Sequence, residues 1–179
     1  RSSFQYALFF FTNHHAIVGY HAQQTHIHHN EILGLTGQGI LLSGYFDNSI
    51  VEYNSIALVD TRPNFEYGLY SHDGIRLNDY ADGYSDGVRI RNNTIHLSGG
   101  LDPAYLPEWG GVNTNGKVLN GIMNGAIGQD LQITDNHIIV DIGDPEVIGS
   151  CYEIGGREPG NTVYRGNICE TNNKGAVIG

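Results

Sequence analysis

Apolar and polar positions alternate along most of this chain in short runs separated by glycine, asparagine and aspartate. Gly74-Ile75-Arg76-Leu77 is representative: a period of two puts Ile75 and Leu77 on one side of a strand and Arg76 on the other. Gly39-Ile40-Leu41-Leu42, Gly121-Ile122-Met123 and Gly175-Ala176-Val177-Ile178 repeat the pattern, and Ser150-Cys151-Tyr152-Glu153-Ile154 offers a further copy led by Ser150. A second pattern recurs between these runs: apolar residue, two spacers, asparagine, one spacer, apolar residue. Its copies are Ile27/Asn30/Ile32, Val51/Asn54/Ile56, Ile90/Asn93/Ile95, Ile133/Asn136/Ile138 and Tyr164/Asn167/Cys169. Together they predict an all-β stacked solenoid whose coils each carry at least two strands. The asparagine marks a tight corner where one residue adopts a left-handed conformation, and asparagine is expected to be that residue. Stacked corners would then share side-chain amide hydrogen bonds. No convincing amphipathic helix interrupts the series.

Intervals between the two markers show where the coils differ. From the small residue to the next corner asparagine the chain runs 15 (39 to 54), 19 (74 to 93), 15 (121 to 136) and 17 (150 to 167) residues. From asparagine forward to the small residue it runs 9 (30 to 39), 20 (54 to 74), 28 (93 to 121), 14 (136 to 150) and 8 (167 to 175). One arc is nearly constant and the other varies threefold, so insertions emerge on one side of the stack. The long ones are read as 57–73 and 96–120 within a single domain over 1–179, and loops raised from a rigid scaffold are where binding and catalytic groups usually sit. Tyr6 to Phe11, a Thr12-Asn13-His14 turn and Ala16-Ile17-Val18 suggest a partial first coil.

Composition agrees with strands and turns: 25 glycines, 11 tyrosines and a single methionine among 179 residues. With 19 acidic against 9 basic side chains the formal charge is −10, which argues against a nucleic-acid partner, since phosphate contacts need clustered Lys or Arg. An anionic polymer could still be held locally, because a site is smaller than a surface. Cys151 and Cys169 do not by themselves dictate a disulfide, and two buried thiols are the preferred reading. No run of 18 apolar residues exists, so no membrane insertion is expected, and Arg-Ser-Ser-Phe is not a signal-peptide opening. Solenoid ends need polar caps, and none is visible before the first strand or after Gly179, so the chain reads as part of a longer one.

The asparagine corner followed by G-I-x-L resembles the right-handed parallel β-helix, the fold shared by pectate-lyase-like enzymes, polysaccharide epimerases and many phage tailspikes. The resemblance covers residues 6 to 179 and implies about five to six coils with an asparagine ladder and three sheets. It places the asparagine between the second and third sheets, the variable loop between the third and first, and G-I-x-L on the first. In such enzymes the groove commonly lies on that first sheet. The catalytic signatures of pectate lyases and polygalacturonases are not present in this sequence.

On that frame the candidate groove joins outward positions of the first sheet to the long loops. His72, Asp73, Arg76 and Asp79 are the catalytic candidates, with Asn78 beside them. Arg62, Tyr67, Tyr70, Tyr105, Glu108 and Trp109 are the substrate-binding ones, with Glu66 nearby. Aromatic faces stack on sugar rings, and carboxylates bind hydroxyls or transfer protons. A glycosidase would use two carboxylates flanking one bond, from the pool Asp73, Asp79 and Glu108. A lyase would use Arg76, His72 or Lys117 to neutralise a uronate and a base to take the neighbouring proton. The alternative reading has Trp109 and Tyr105 packing their loop onto the wall, and Arg76 in a surface ion pair. The acidic turn Asp79-Tyr80-Ala81-Asp82-Gly83-Tyr84-Ser85-Asp86 offers Asp79, Asp82 and Asp86 as Ca2+ ligands, against a plain solvated turn. No cofactor is otherwise indicated. His14, His15, His21, His26, His28 and His29 are read as exposed strand histidines rather than a metal centre. Asn92-Asn93-Thr94 fits a glycosylation acceptor, but the corner requires Asn93.

Two functions follow. The first is a carbohydrate-active β-helix, a lyase or glycoside hydrolase of an extracellular or cell-surface polysaccharide. The second is a noncatalytic solenoid: a phage tailspike or tail-fibre shaft, an appendage subunit or an adhesin, assembled as a homotrimer or filament at a virion or cell surface. Fold alone does not choose between them.

Overall fold

The computed structural model describes residues 2–12, 15–34, 38–58, 71–78, 85–99, 118–125, 128–142, 148–154 and 162–171. Their strands form three sheets in which every pairing is parallel. Sheet A stacks β1 (Ser2–Gln5), β4 (Thr25–His28), β7 (Ile50–Glu52), β10 (Arg89–Arg91), β13 (Gln132–Thr134) and β16 (Val163–Arg165). Sheet B stacks β2 (Leu8–Thr12), β5 (Glu31–Gly34), β8 (Ser55–Leu58), β11 (Thr94–Gly99), β14 (His137–Ile142) and β17 (Ile168–Thr171). Sheet C stacks β3 (Ile17–Tyr20), β6 (Ile40–Ser43), β9 (Ser71–Asn78), β12 (Val118–Gly125) and β15 (Ile148–Ile154). Each coil runs from C to A to B, one strand in each, so every third strand pairs with its predecessor. This is a parallel β-helix, and its topology is consistent with right-handed winding. The strands claim part of what the interval analysis assigned to insertions: β8 extends through Leu58, β9 begins at Ser71, β11 ends at Gly99 and β12 begins at Val118. Residues 59–70 and 100–117 lie outside the described residues.

The corner between sheets A and B carries the ladder. Asn30, Asn54, Asn93 and Asn136 are buried, and each carboxamide donates to the Oδ1 of the asparagine one coil on, ending at Asn167, over 2.9 to 3.0 Å. The same Oδ1 atoms accept the backbone N–H of the preceding rung. The left-handed residue, however, is the one before the asparagine: His29, Tyr53, Asn92 and Asp135 have φ of 53 to 55°, and Gly166 has φ 68°. The expectation that asparagine itself turns the corner is thereby corrected. Its amide serves the ladder, while its neighbour adopts the left-handed conformation, which Asn92, Asp135 and Gly166 take more readily than His29 and Tyr53.

Stacked isoleucines, valines and leucines fill the bore. Ile27, Val51, Ile90 and Ile133 point in from sheet A, Ile32, Ile56, Ile95 and Ile138 from sheet B, and Ile40, Ile75 and Ile122 from sheet C, all essentially buried. Each such side chain stabilises the stack by about 1.5–3 kcal/mol relative to exposure. The glycine that opens each sheet C run has a steric cause. A Cβ on Gly74 would collide with Ile95 Cγ2 and meet Gly121 O at 2.7 Å, and Gly39 and Gly121 stand in the same relation to Ile56 and Ile138.

In the next coil that glycine–isoleucine pair becomes Cys151 and Cys169. Register aligns Asn120 with Ser150 and Ile138 with Cys169, so Cys151, not Ser150, is the equivalent of Gly121. The two cysteines form a disulfide with Cα atoms 5.9 Å apart, which corrects the reading of two separate thiols. The close approach that elsewhere forces glycine against isoleucine is also what brings two cysteines within bonding distance.

Candidate functional site

Sheet C, the sheet on which the groove is expected, carries a row of polar side chains across its coils. Ser150 donates to Asn120 Oδ1 at 2.6 Å, and Asn120 Nδ2 donates to Asp73 Oδ1 at 2.9 Å. Asp73 Oδ2 accepts from Arg76 over 3.1 Å. Gln38, two residues before Ile40, holds the equivalent place in the preceding coil and is buried. Strict alternation would send Asp73 and Arg76 to opposite faces. Gly74 breaks it: a Cβ there would point at Ile95 in the bore, yet Ile75 beside it is also buried, so one step of the zigzag is lost. Asp73 and Arg76 therefore meet on one side.

This geometry alters the roles open to the expected residues. Asp73 is 0 % exposed and gives both oxygens to protein donors, so it orients Arg76 more readily than it reaches solvent. Arg76, 17 % exposed in its side chain, is the member presented outward. His72 lies on β9 opposite Leu119, and Asn78 closes the same strand opposite Gly125. Among the catalytic candidates Asp79 lies outside the described residues, as do all the substrate-binding ones: Arg62, Tyr67, Tyr70, Tyr105, Glu108 and Trp109. Of the calcium candidates, Asp79 and Asp82 also lie outside them. Asp86 sits at the corner between sheets C and A, where its Oδ1 accepts the Gln129 N–H at 2.7 Å while its own N–H donates to Asp47 Oδ1 at 2.9 Å. Asp47 and Asp86 thus form a second ladder, of carboxylates and backbone amides. Among the described residues no three His, Cys, Asp or Glu side chains converge as a metal site.

Near the last coils the bore turns polar. Asn124 occupies the register position of Leu77 and donates to the Tyr164 hydroxyl at 3.2 Å, and Tyr164 packs edge-on against Tyr152. Burial pushes both phenols above the ordinary tyrosine value, with the Asn124 hydrogen bond partly opposing this at Tyr164. Both stay neutral at any physiological pH.

A charged cluster missed by the sequence analysis lies on the outer face of sheet A. Glu52 accepts from Arg91 Nε and pairs with His26 Nε2, both at 2.7 Å. Burial works against ionisation of Glu52, but the hydrogen bonds from Arg91 and His26 outweigh it and hold the carboxyl below its ordinary value. His26 and His28 stack with ring centroids 3.9 Å apart, and His28 Nδ1 lies 2.9 Å from His29 Nδ1. Burial first, then the neighbouring His26 and His29, push His28 below the ordinary histidine value against an opposing pull from Glu52. Tyr6, His29 and Tyr53 stack along the adjoining corner at 5.3 and 5.1 Å. The histidines are therefore a contacting cluster rather than separate exposed side chains. The signal was available: in each coil the outward residues of sheet A stand two and four positions before the ladder asparagine.

Comparison of the chain with protein-family models, with curated proteins and with solved structures returns no match in any of the three. Among the described residues no helix is long and apolar enough to cross a membrane.

Proposed function

We propose that this chain is a carbohydrate-active parallel β-helix that binds, and cleaves by lyase or glycoside hydrolase chemistry, an extracellular or cell-surface polysaccharide lying along sheet C. The observation that carries this reading is the row Asp73–Asn120–Ser150 with Arg76, which runs along the axis on the sheet reached directly after the variable arcs. A row parallel to the axis suits a linear polymer, since successive coils offer equivalent positions about 4.8 Å apart. In an elimination, Arg76, held by Asp73, would pair with a uronate carboxylate and stabilise the charge that develops when the adjacent proton leaves. In a hydrolysis, Asp73 would be one of two carboxylates. The Cys151–Cys169 disulfide supports an extracellular or surface location, because such bonds persist in oxidising compartments.

A noncatalytic glycan-binding or shaft-like solenoid, trimeric or filamentous, is the second reading. It is favoured by the burial of Asp73 and the engagement of both its oxygens. Turnover of a panel of uronate and neutral polysaccharides, followed by reducing ends and by absorbance of unsaturated products, separates the two. The paired variant Asp73→Asn/Arg76→Gln removes the charges without stranding either partner. Enzyme action predicts turnover that this variant abolishes. Binding without turnover across the panel, with a trimer on sizing, would instead establish the second reading.

A further inference from the structure

The distribution of charge over the three sheets is uneven in a way the net charge conceals. The chain is formally −10, yet three of the four arginines among the described residues, Arg89, Arg91 and Arg165, lie at outward positions of sheet A. Alternation fixes this placement, because Ile90 between Arg89 and Arg91 is fully buried and Tyr164 aligns with Ile133 in the bore. His26 and His28 extend the same face by flanking buried Ile27. Among the described acidic residues only Glu52 stands on this face, and it is shared between Arg91 and His26. Outward positions of sheet B, by contrast, carry Glu31, Asp141 and Glu170.

We propose that the outer face of sheet A is a second binding surface, separate from the sheet C row, whose ligand is a linear anionic polysaccharide. The net charge does not forbid it, since at physiological ionic strength screening acts over about 8 Å and a bound chain responds mainly to the face it lies on. Spacing selects the ligand class. Arg91 and Arg165 are two coils apart in one row, Arg89 lies beside Arg91, and the coil rise is about 4.8 Å. A polymer with one carboxylate per sugar ring matches cations so spaced, whereas duplex DNA presents a charge every ~1.7 Å and calls for denser Lys and Arg. The face also strengthens in acid. His28 gains charge there, and the groups facing it and its neighbour His26 are Ser3 and Gln5 on β1, Ile50 and Glu52 on β7, Arg91 on β10, and His29 with Tyr6 and Tyr53 at the corner. Glu52 is the one carboxylate among them. Because His28 sits below the ordinary histidine value of 6.5, its charge arrives only on the acid side of that value. At the flanking corners the acids among the described residues are Asp135 on one side and Asp47, Asp86 and Asp130 on the other; Asp47 and Asp86 already accept backbone N–H groups.

The test is affinity electrophoresis and calorimetry with polygalacturonate, using neutral dextran and a single-stranded oligonucleotide as comparators, at pH 7.5 and 5.5. Arg89→Gln/Arg91→Gln/Arg165→Gln is expected to weaken polygalacturonate binding at least about fivefold. Glu52→Gln should tighten it, an effect that a damaged fold cannot imitate. His28→Gln should reduce the gain in affinity between pH 7.5 and 5.5 while leaving binding at pH 7.5 nearly unchanged. Arg165→Gln alone, at an exposed position of the last sheet A strand, checks that the loss does not come from unfolding. All of these variants keep Asp73 and Arg76, so failure of this surface and failure of the sheet C reading are separately visible. Wild-type affinity in the triple arginine variant, equal retardation by dextran, or tighter binding of the oligonucleotide would each overturn the proposal.

Discussion

Asn93→Ala tests the corner ladder where it is most enclosed. The Asn93 carboxamide donates to Val51 O at 2.9 Å, Arg91 O at 3.1 Å and Asn136 Oδ1 at 3.0 Å, and its Oδ1 accepts from Asn54 N and Asn54 Nδ2 at 3.0 and 2.9 Å. Truncation removes all of these. Asn136 Oδ1 keeps the Asn93 backbone N–H, and Asn54 Nδ2 keeps Ile27 O, so those groups lose only part of their bonding. The buried Asn54 N–H loses the acceptor it has in the ladder. Stranding one buried donor costs about 1–3 kcal/mol and one further net hydrogen bond about 1 kcal/mol, so we expect a loss of about 2–4 kcal/mol. Asn167→Ala is the internal control: it serves Asn136 and Ile133 O in the same way but is only partly buried, and about 1 kcal/mol is expected. Asn93→Asp should be no better than alanine at neutral pH, because it sets a carboxylate against Asn136 Oδ1. Urea unfolding gives the free energies, and hydrogen exchange at the Asn54 amide reads local opening in a stack whose coils need not unfold together. A change below about 0.5 kcal/mol for Asn93→Ala, or equal losses at positions 93 and 167, would refute the claim that buried amide bonding holds the corner.

Three other outcomes follow from the packing and the charges. Gly74→Ala should cost about 1–3 kcal/mol through overpacking against Ile95 Cγ2, and a double-mutant cycle with Ile95→Ala should show favourable coupling near 1 kcal/mol; additive losses would place the strain elsewhere. Reduction of the Cys151–Cys169 bond, 18 residues apart, should destabilise by about 3 kcal/mol. Under reducing conditions Cys151→Gly/Cys169→Ile, which restores the pair used in earlier coils, should melt above Cys151→Ala/Cys169→Ala, and the reverse order would deny the equivalence. The Glu52 carboxyl is held below its reference value of 4.5, so its contribution to stability is present above that pH and lost as pH falls through the lower folded-state value. Stability followed between about pH 6 and 3 should accordingly fall less steeply in Glu52→Gln than in the wild type.

The solenoid was legible because its repeat is local. The spacing of apolar residue, asparagine and apolar residue reports a corner from six consecutive positions, and Ile75 and Leu77 around Arg76 report a strand face from three. What failed was whatever needed register to one residue or knowledge of which backbone unit bends. The pattern points to Asn93 as the left-handed residue, whereas Asn92 takes that role, since both fit a turn and the amide bonding that distinguishes them runs between coils. The pattern offers Ser150 as the fourth small residue where register makes it Cys151, and that single step hides the substitution of a disulfide for a glycine and an isoleucine. Asp73 was read as an outward groove residue. The lost zigzag step at Gly74 does set it on the side of Arg76, but there Arg76 and Asn120 of the next coil engage both its oxygens, which alternation within one strand does not reveal.

A functional surface on such a stack is a row across coils, so its residues are far apart in sequence and unremarkable individually. Arg91 and Arg165 are separated by 74 positions, yet both stand two residues before a ladder asparagine, as do His28, Glu52 and Thr134. The ladder therefore specifies which side chains share a face, provided that residues are read across the coils at constant offset. Read that way, offsets two and four before each asparagine gather His26, His28, Arg89, Arg91 and Arg165 around one carboxylate. The nearly constant arc, where coil length varies least, would then hold a binding face of its own. The row itself is set by strand pairing at the ladder end: the arc from 74 to 93 is four residues longer than the one before it, yet Arg91 still pairs in register with Glu52 and with Thr134, so a lengthened corner loops out and leaves the cations of sheet A aligned.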